Sequence, residues 1–197
     1  MPELILASTS PYRRELLQRL RLPFEVVGPQ VDETPLEGET PAAAAARLAR
    51  AKAEAVAAGR PGALVVGSDQ TATLDGVAIL GKPGGHERAR AQLRAASGRE
   101  MVFHTALAVV RRSDGFAHEQ VVETRVRFRE LSDAAIEAYL LAERPYDCAG
   151  SAKAEGLGIA LLAALDGPDP TALIGLPLIA LTDALCRAGL PPLRGLE

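Results

Sequence analysis

"LILASTSPYRRELLQRL", residues 4–20, changes its periodicity partway along. Leu4 to Ala7 make an apolar run of strand type, and Ser8-Thr9-Ser10 then lead into a helix. Ser10 is a favoured N-cap and Pro11 suits the first helical position, so the helix is predicted to start there. A strand entering a helix across a short polar turn is the building unit of α/β architecture. The same stretch puts Arg13 and Arg14 in the first helical turn. Exposed N–H groups and the macrodipole already supply about half a positive charge at that end. Two more cations have the wrong sign there unless an anion joins them.

The alternation continues downstream. "FEVVGPQVDE" (24–33) is predicted as a short second strand running into a loop with Asp32 and Glu33. Thr40 and Pro41 open a long alanine-rich helix that Gly59 stops. "GALVVGSDQ" (62–70) reads as a buried strand with Ser68, Asp69 and Gln70 at its carboxyl end, and "ATLDGVAIL" (72–80) as a tight hairpin about Asp75-Gly76. "GKPGG" (81–85) is a loop, and "HERARAQLRAAS" (86–97) a helix closed by Gly98. "MVFHTALAVV" (101–110) is apolar enough for a central strand. In "VVETRVRFREL" (121–131), Val122, Thr124, Val126 and Phe128 alternate with charged residues, the pattern of a strand with one wet face. Ser132 caps a helix through Glu143, and a last helix runs from about Pro177 to Gly189. Strands first alternate with helices and later pair locally. The expected fold class is therefore α/β, with a mixed, twisted sheet and flanking helices.

Composition narrows the functional classes. At 197 residues, 48% hydrophobic and 24% charged, the chain is of ordinary globular type with length enough for a substantial core. A net charge of -3 disfavours a nucleic-acid duplex as partner. Cys148 and Cys186 have no metal-type spacing, which fits a reducing, cytoplasmic setting. No secretory leader is legible at the start, and no apolar run approaches the roughly 20 residues needed to span a membrane. The three histidines are scattered, so any metal is expected on oxygen ligands.

Three polar clusters fall where α/β sheets bind ligands, outside the carboxyl ends of strands. The first is Ser8 to Arg14, where helix N–H groups, hydroxyls and a planar guanidinium together suit a phosphate. The bland alternative has both arginines bending into solvent or pairing with Glu15. The second is Ser68-Asp69-Gln70; a carboxylate ending an apolar strand needs a cation, a hydrogen-bond network or a metal, or else it caps the next turn. The third is Lys82, in a glycine-flanked loop that lacks the spacing of a Walker A loop. Lys52, in the alanine-rich helix, reads singly as a solvated residue.

In order along the chain, "LILASTSPYRRELL", "VDE", "RLARAKAEA", "VVGSDQ", "LDGVAILGKP", "LRAASGRE", "AGSAKAEGLGI" and "IGLPLIAL" resemble the Maf family of nucleoside triphosphate pyrophosphatases. The resemblance runs from residue 4 to about 181. It implies a long mixed, twisted sheet with two lobes around a central cleft, shared with inosine triphosphate pyrophosphatases, and one Maf-type domain over residues 1–197. It also implies a reaction that uses a divalent metal cation (Mg, Mn or Co) and converts NTP and water to NMP and diphosphate. By resemblance, Asp69 is the proton acceptor, Arg13, Lys52 and Lys82 belong to the phosphate and catalytic group, and Glu33 stands near the metal; Ser8, read from its place before the helix start, joins the substrate site. Whether Asp69 orients water or binds the metal stays open from sequence. The expected partner is a small-molecule nucleotide, with no duplex and no membrane; a homodimer is one open assembly.

Three positions vary with substrate in that family. The branch acting on dTTP and UTP carries Arg, Thr and Gln where this chain has Tyr12, Gln70 and Glu155. The branch acting on 7-methyl-GTP carries an aromatic, Gln and Glu. Here the aromatic is Tyr12 in place of Trp, and Ala152 stands where another aromatic is usual. N7-methylation makes guanine cationic, which suits an aromatic face and a carboxylate. Glutamate also accepts from guanine N1–H and its amine, whereas uracil and thymine offer one N–H donor. The expected substrate is therefore 7-methyl-GTP. The alternatives are a dTTP/UTP pyrophosphatase and a non-catalytic, nucleotide-sensing regulator of septation.

Overall fold

The computed structural model describes residues 2–196. Its strands are β1 (Leu4–Ala7), β2 (Glu25–Val27), β3 (Leu64–Thr73), β4 (Glu100–Arg111), β5 (Phe116–Phe128) and β6 (Leu162–Asp166). They form a six-stranded mixed sheet in the order β2-β1-β3-β4-β5-β6. The first three are parallel, with helices α1 (Pro11–Gln18) and α2 (Pro41–Ala57) on the connections, and the remaining pairings are antiparallel. Helices α3 (His86–Ala96), α4 (Asp133–Glu143) and α5 (Leu178–Arg187) complete the fold. Among the described residues no helix is long and apolar enough to cross a membrane.

Local chemistry sets the helix starts. The Ser10, Thr40 and Ser132 hydroxyls accept from the N–H groups of Arg13, Ala43 and Ala135, and Pro11 and Pro41 fill first helical positions. Gly98, at φ 68°, takes the left-handed conformation that ends the α3 region.

Alternation along β1 supplies two cores. Leu4 and Leu6 pack with Leu16 and Leu17 of α1 and Leu181 and Leu185 of α5. Ile5 and Ala7 face the other way, onto Ala45, Ala49 and Ala53 of α2. Each fully buried leucine or isoleucine there stabilises by roughly 1.5–3 kcal/mol. Covered on both sides, β1 and the start of β3 read as continuous apolar runs. Beyond the end of β1, strands β3 to β5 continue into a second lobe, where Met101, Phe103, Val126 and Phe128 pack with Leu93, Ile136 and Leu140. Along β5, Val122, Thr124, Val126 and Phe128 are buried between exposed charged residues, the alternation expected.

The structure departs from expectation in three places. Ser68, Asp69 and Gln70 do not end their strand; they lie inside β3, because the antiparallel partner β4 carries the ladder on through Thr73↔Val102. The hairpin about Asp75-Gly76 reduces to a turn closed by one isolated bridge, Ala72↔Leu80, because Asp75 Oδ1 accepts the N–H groups of Val77 and Ala78 in place of a second ladder. β6 was not expected: four of its five residues are exposed and it pairs only with β5.

Candidate active site

β1 stops at Ala7, level with Gly67, while β3 runs on. The residues after Gly67 therefore stand past the end of the parallel pair, beside the turn that leads to α1. A cavity of about 500 Å³ opens at this step between the lobes. Its wall includes Ser8, Tyr12, Arg13, Glu33, Lys52, Asp69, Gln70, Lys82 and Glu155, drawn from six separate stretches of chain.

The centre of the site depends on how closely α2 lies on β3. Gly67 faces the helix backbone: a Cβ there would overlap the Ala49 carbonyl oxygen and come within 2.7 Å of Ala53 N. Asp69, two residues on, shares that face of the strand, and Lys52 sits on α2 between those alanines. The Lys52 ammonium, 5% exposed, reaches Asp69 Oδ1 and Glu33 Oε1 at 2.6 Å each. Lys52 is thus a buried member of the site, against its reading as a lone solvated residue. Asp69 Oδ2 accepts no hydrogen bond among the described residues, and Asp69 lies in the cavity wall. Burial pushes the Glu33 carboxyl up, but the Lys52 hydrogen bond and charge, with Lys82 and Arg13, outweigh it and hold it below its ordinary value.

The two arginines of the first helical turn separate. Arg13 turns into the cavity, where its Nε donates to the Gly175 carbonyl oxygen at 2.8 Å. Arg14 is exposed and lies outside it. Ser68 Oγ donates to the same Gly175 oxygen at 2.9 Å, so one backbone carbonyl fixes a strand residue and the guanidinium together. Burial pushes the Arg13 guanidinium down from its ordinary value, against the pull of Asp69 and Glu33. Two N–H groups expected to be free for an anion are used locally: that of Ser10 donates to Ser8 Oγ, and that of Arg13 to Ser10 Oγ. Positive charge facing the cavity at this turn therefore comes more from side-chain cations than from free helix N–H groups. Lys82 is exposed, lines the same cavity near enough to act on the Glu33 charge, and forms no ion pair among the described residues.

Gln70 has its amide polarity set by its surroundings. Its nitrogen donates to Thr105 Oγ1 at 2.9 Å and to the carbonyl oxygens of Ala172 and Leu173 at 3.0 Å. Only the oxygen is left as an acceptor. Further along the wall, the Tyr12 hydroxyl donates to Asp147 Oδ2 at 3.1 Å, and burial with the nearby Cys148 and Asp147 pushes the phenol up. Glu155 stands in the same neighbourhood. Desolvation pushes its carboxyl up from the ordinary value, and the Glu143 and Asp147 charges add to this, while Lys153 opposes it.

The cavity thus has two ends. Three cations and two acids meet around Asp69, and carboxylates with an aromatic ring meet around Tyr12. Among the described residues no three His, Cys, Asp or Glu side chains come together as a metal cage. Asp69 and Glu33, drawn to one ammonium, still offer a cation two carboxylate oxygens.

Gly67, Asp147 and Gly175 take part in this geometry without having been singled out from sequence. The glycines of "VVGSDQ" and "IGLP" were visible signals. Their reasons lie in distant partners: a helix backbone for one, the Arg13 side chain for the other.

The sequence profile of Maf-like proteins matches residues 3–188. A 7-methyl-GTP pyrophosphatase from Paraburkholderia xenovorans (strain LB400) is 63% identical over 193 residues, covering 96% of this chain and 94% of its own. One from Bordetella pertussis (strain Tohama I) is 63% identical over 195 residues, covering 98% and 96%. Among solved structures, a HAM1 protein from Coxiella burnetii aligns at TM-score 0.47 and 20% identity, over 66% of this chain and 75% of its own.

Proposed function

The chain belongs to the Maf family, and from that premise we propose that it hydrolyses nucleoside triphosphates between the α- and β-phosphates, with 7-methyl-GTP preferred. The observation that carries this reading is the buried Lys52 ammonium holding Asp69 and Glu33 at 2.6 Å inside a cavity that Arg13 and Lys82 also line. A protein that only senses nucleotide needs cations for phosphate but has no use for a fixed, inward-facing carboxylate.

In the proposed reaction a water oxygen bonds to the α-phosphorus, the bond to the α–β bridging oxygen breaks, and pyrophosphate leaves with that electron pair. Asp69 Oδ2 accepts the water proton while Lys52 holds Oδ1 and fixes the plane of the carboxylate. Arg13 and Lys82 offset the charge that grows on the departing pyrophosphate. Ser8 lies beside the phosphates at the turn before α1. Glu33 and Asp69 fit a hard divalent cation such as Mg²⁺, which takes one or two carboxylates and fills its shell with substrate phosphates and water. When bound, such an ion polarises the phosphoryl group and neutralises anionic charge.

The base preference is supported by Tyr12, Gln70 and Glu155 in the same wall and by the names of relatives at 63% identity. The Gln70 oxygen and the Glu155 carboxylate are acceptors, matched to the donor edge of guanine. A carboxyl pushed up by its surroundings gains from a cationic base. The test is pyrophosphate release by purified protein from 7-methyl-GTP, GTP, UTP and dTTP with Mg²⁺, Mn²⁺ or Co²⁺. The expected result is fastest turnover of 7-methyl-GTP to 7-methyl-GMP and pyrophosphate. Preference for UTP or dTTP would overturn the base assignment, and binding without turnover would overturn the reaction.

A further inference from the structure

The segment "AGSAKAEGLGI" contributes Glu155 to the cavity, and two residues before it Lys153 is held by several partners. The Lys153 ammonium lies 5.3 Å from the centroid of the Tyr12 ring and 3.2 Å from Glu143 Oε1. Its backbone N–H donates to the Tyr139 hydroxyl oxygen at 3.0 Å, and Glu143 Oε2 accepts the Leu157 N–H at 2.9 Å. Two glycines let the chain wrap this pair. A Cβ on Gly156 would meet Glu143 Oε2 at 2.8 Å, and one on Gly158 would meet Lys153 N at 2.6 Å. Tyr12 lines the cavity, and Lys153 holds its ammonium over the Tyr12 ring from outside that lining. The Glu143 hydrogen bond pushes the Lys153 amine up from its ordinary value, which keeps it charged.

An aromatic ring attracts cations through one quadrupole shared by its two faces. A cation already resting over the ring adds positive potential there and weakens the hold on a second cation. We propose that Lys153 is a specificity-determining residue that acts through Tyr12, tempering the preference of the site for a cationic base over a neutral one. Its place is outside the cavity lining, so its effect passes through the ring. The inference rests on the nucleotide reading above, but it concerns the ratio between a charged base and its neutral counterpart.

The experiment compares calorimetric Kd values for 7-methyl-GMP and GMP in the wild type, Lys153→Met and Lys153→Arg. Methionine keeps an unbranched stem over the ring without the charge, and arginine keeps the charge. The preference for 7-methyl-GMP is expected to rise about three- to tenfold in Lys153→Met and to stay near the wild-type value in Lys153→Arg. An unchanged ratio in Lys153→Met would overturn the inference, and so would equal weakening of both nucleotides, the mark of a merely structural role. A wild type with no preference for the methylated base would overturn the base assignment in the proposed function. The change of ratio on Lys153→Met would still decide the role of Lys153.

Discussion

Replacing Gly67 by alanine strikes the contact that sets Lys52 against Asp69. The new methyl overlaps the Ala49 carbonyl oxygen and lies 2.7 Å from Ala53 N. Both are backbone atoms of α2, so neither swings aside as a side chain would, and the helix must retreat by ~1 Å. Gly67 is not among the positive-φ glycines, so the cost is contact and not backbone strain. Overpacking of this kind costs about 1–3 kcal/mol, and at roughly 2–4 °C per kcal/mol for a chain of this size Tm should fall by about 2–12 °C. The retreat carries Lys52 away from Asp69 Oδ1, now 2.6 Å distant. A displacement of that size costs on the order of 10²-fold in rate when it misplaces a catalytic group. Scanning calorimetry gives Tm, and pyrophosphate release from 7-methyl-GTP, measured well below both melting points, gives kcat. The expected variant is folded and slow. Adding Ala53→Gly should not restore it, because the clash with backbone remains. Wild-type Tm together with wild-type kcat would refute the reasoning, since α2 would then have room to spare.

Gly175→Ala forces a side chain into φ 126°, at about 1–3 kcal/mol of strain, and moves the carbonyl that holds Arg13 and Ser68. Its KM for the triphosphate should rise several-fold, and steady-state kinetics with an unchanged KM would count against Arg13 as a phosphate ligand. Asp69→Asn should retain a cooperative melt yet lose nearly all turnover, whereas wild-type-like kcat would remove Asp69 from the chemistry. The hydrogen bond from Arg47 pulls the Glu39 carboxyl down from 4.5 to about 2, against slight burial. A depressed carboxyl contributes stability that is complete above 4.5 and disappears as pH falls toward 2. The Tm gap between wild type and Arg47→Met should accordingly be constant near neutrality and close across that acid window. A gap that persists to its lower end would assign the effect of Arg47 to packing.

What the chain determines by itself lies within a few residues of each position. Ser10-Pro11, Thr40-Pro41 and Ser132 announce their helices because a cap and the N–H it satisfies are neighbours in sequence. The alternation from Val122 to Phe128 announces a half-buried strand because successive side chains must point opposite ways. The ordered motifs bring Asp69, Lys52, Lys82, Arg13 and Glu33 together as a candidate set from sequence alone. Other properties belong to the folded molecule alone. Ser68 to Gln70 lie within a strand because β4 extends the ladder, and pairing depends on a partner some thirty-five residues away. Arg13 turns inward while Arg14 does not, because a carbonyl 162 residues downstream receives its Nε. Gly67 must lack a side chain because a helix backbone presses on it, and Lys153 lies on Tyr12 because Glu143 and Tyr139 hold it there. Propensity and capping act over one turn or one pleat. Close approach, partner choice and the field at a charged group are set by whatever the chain folds against them, and so only the tertiary structure decides them.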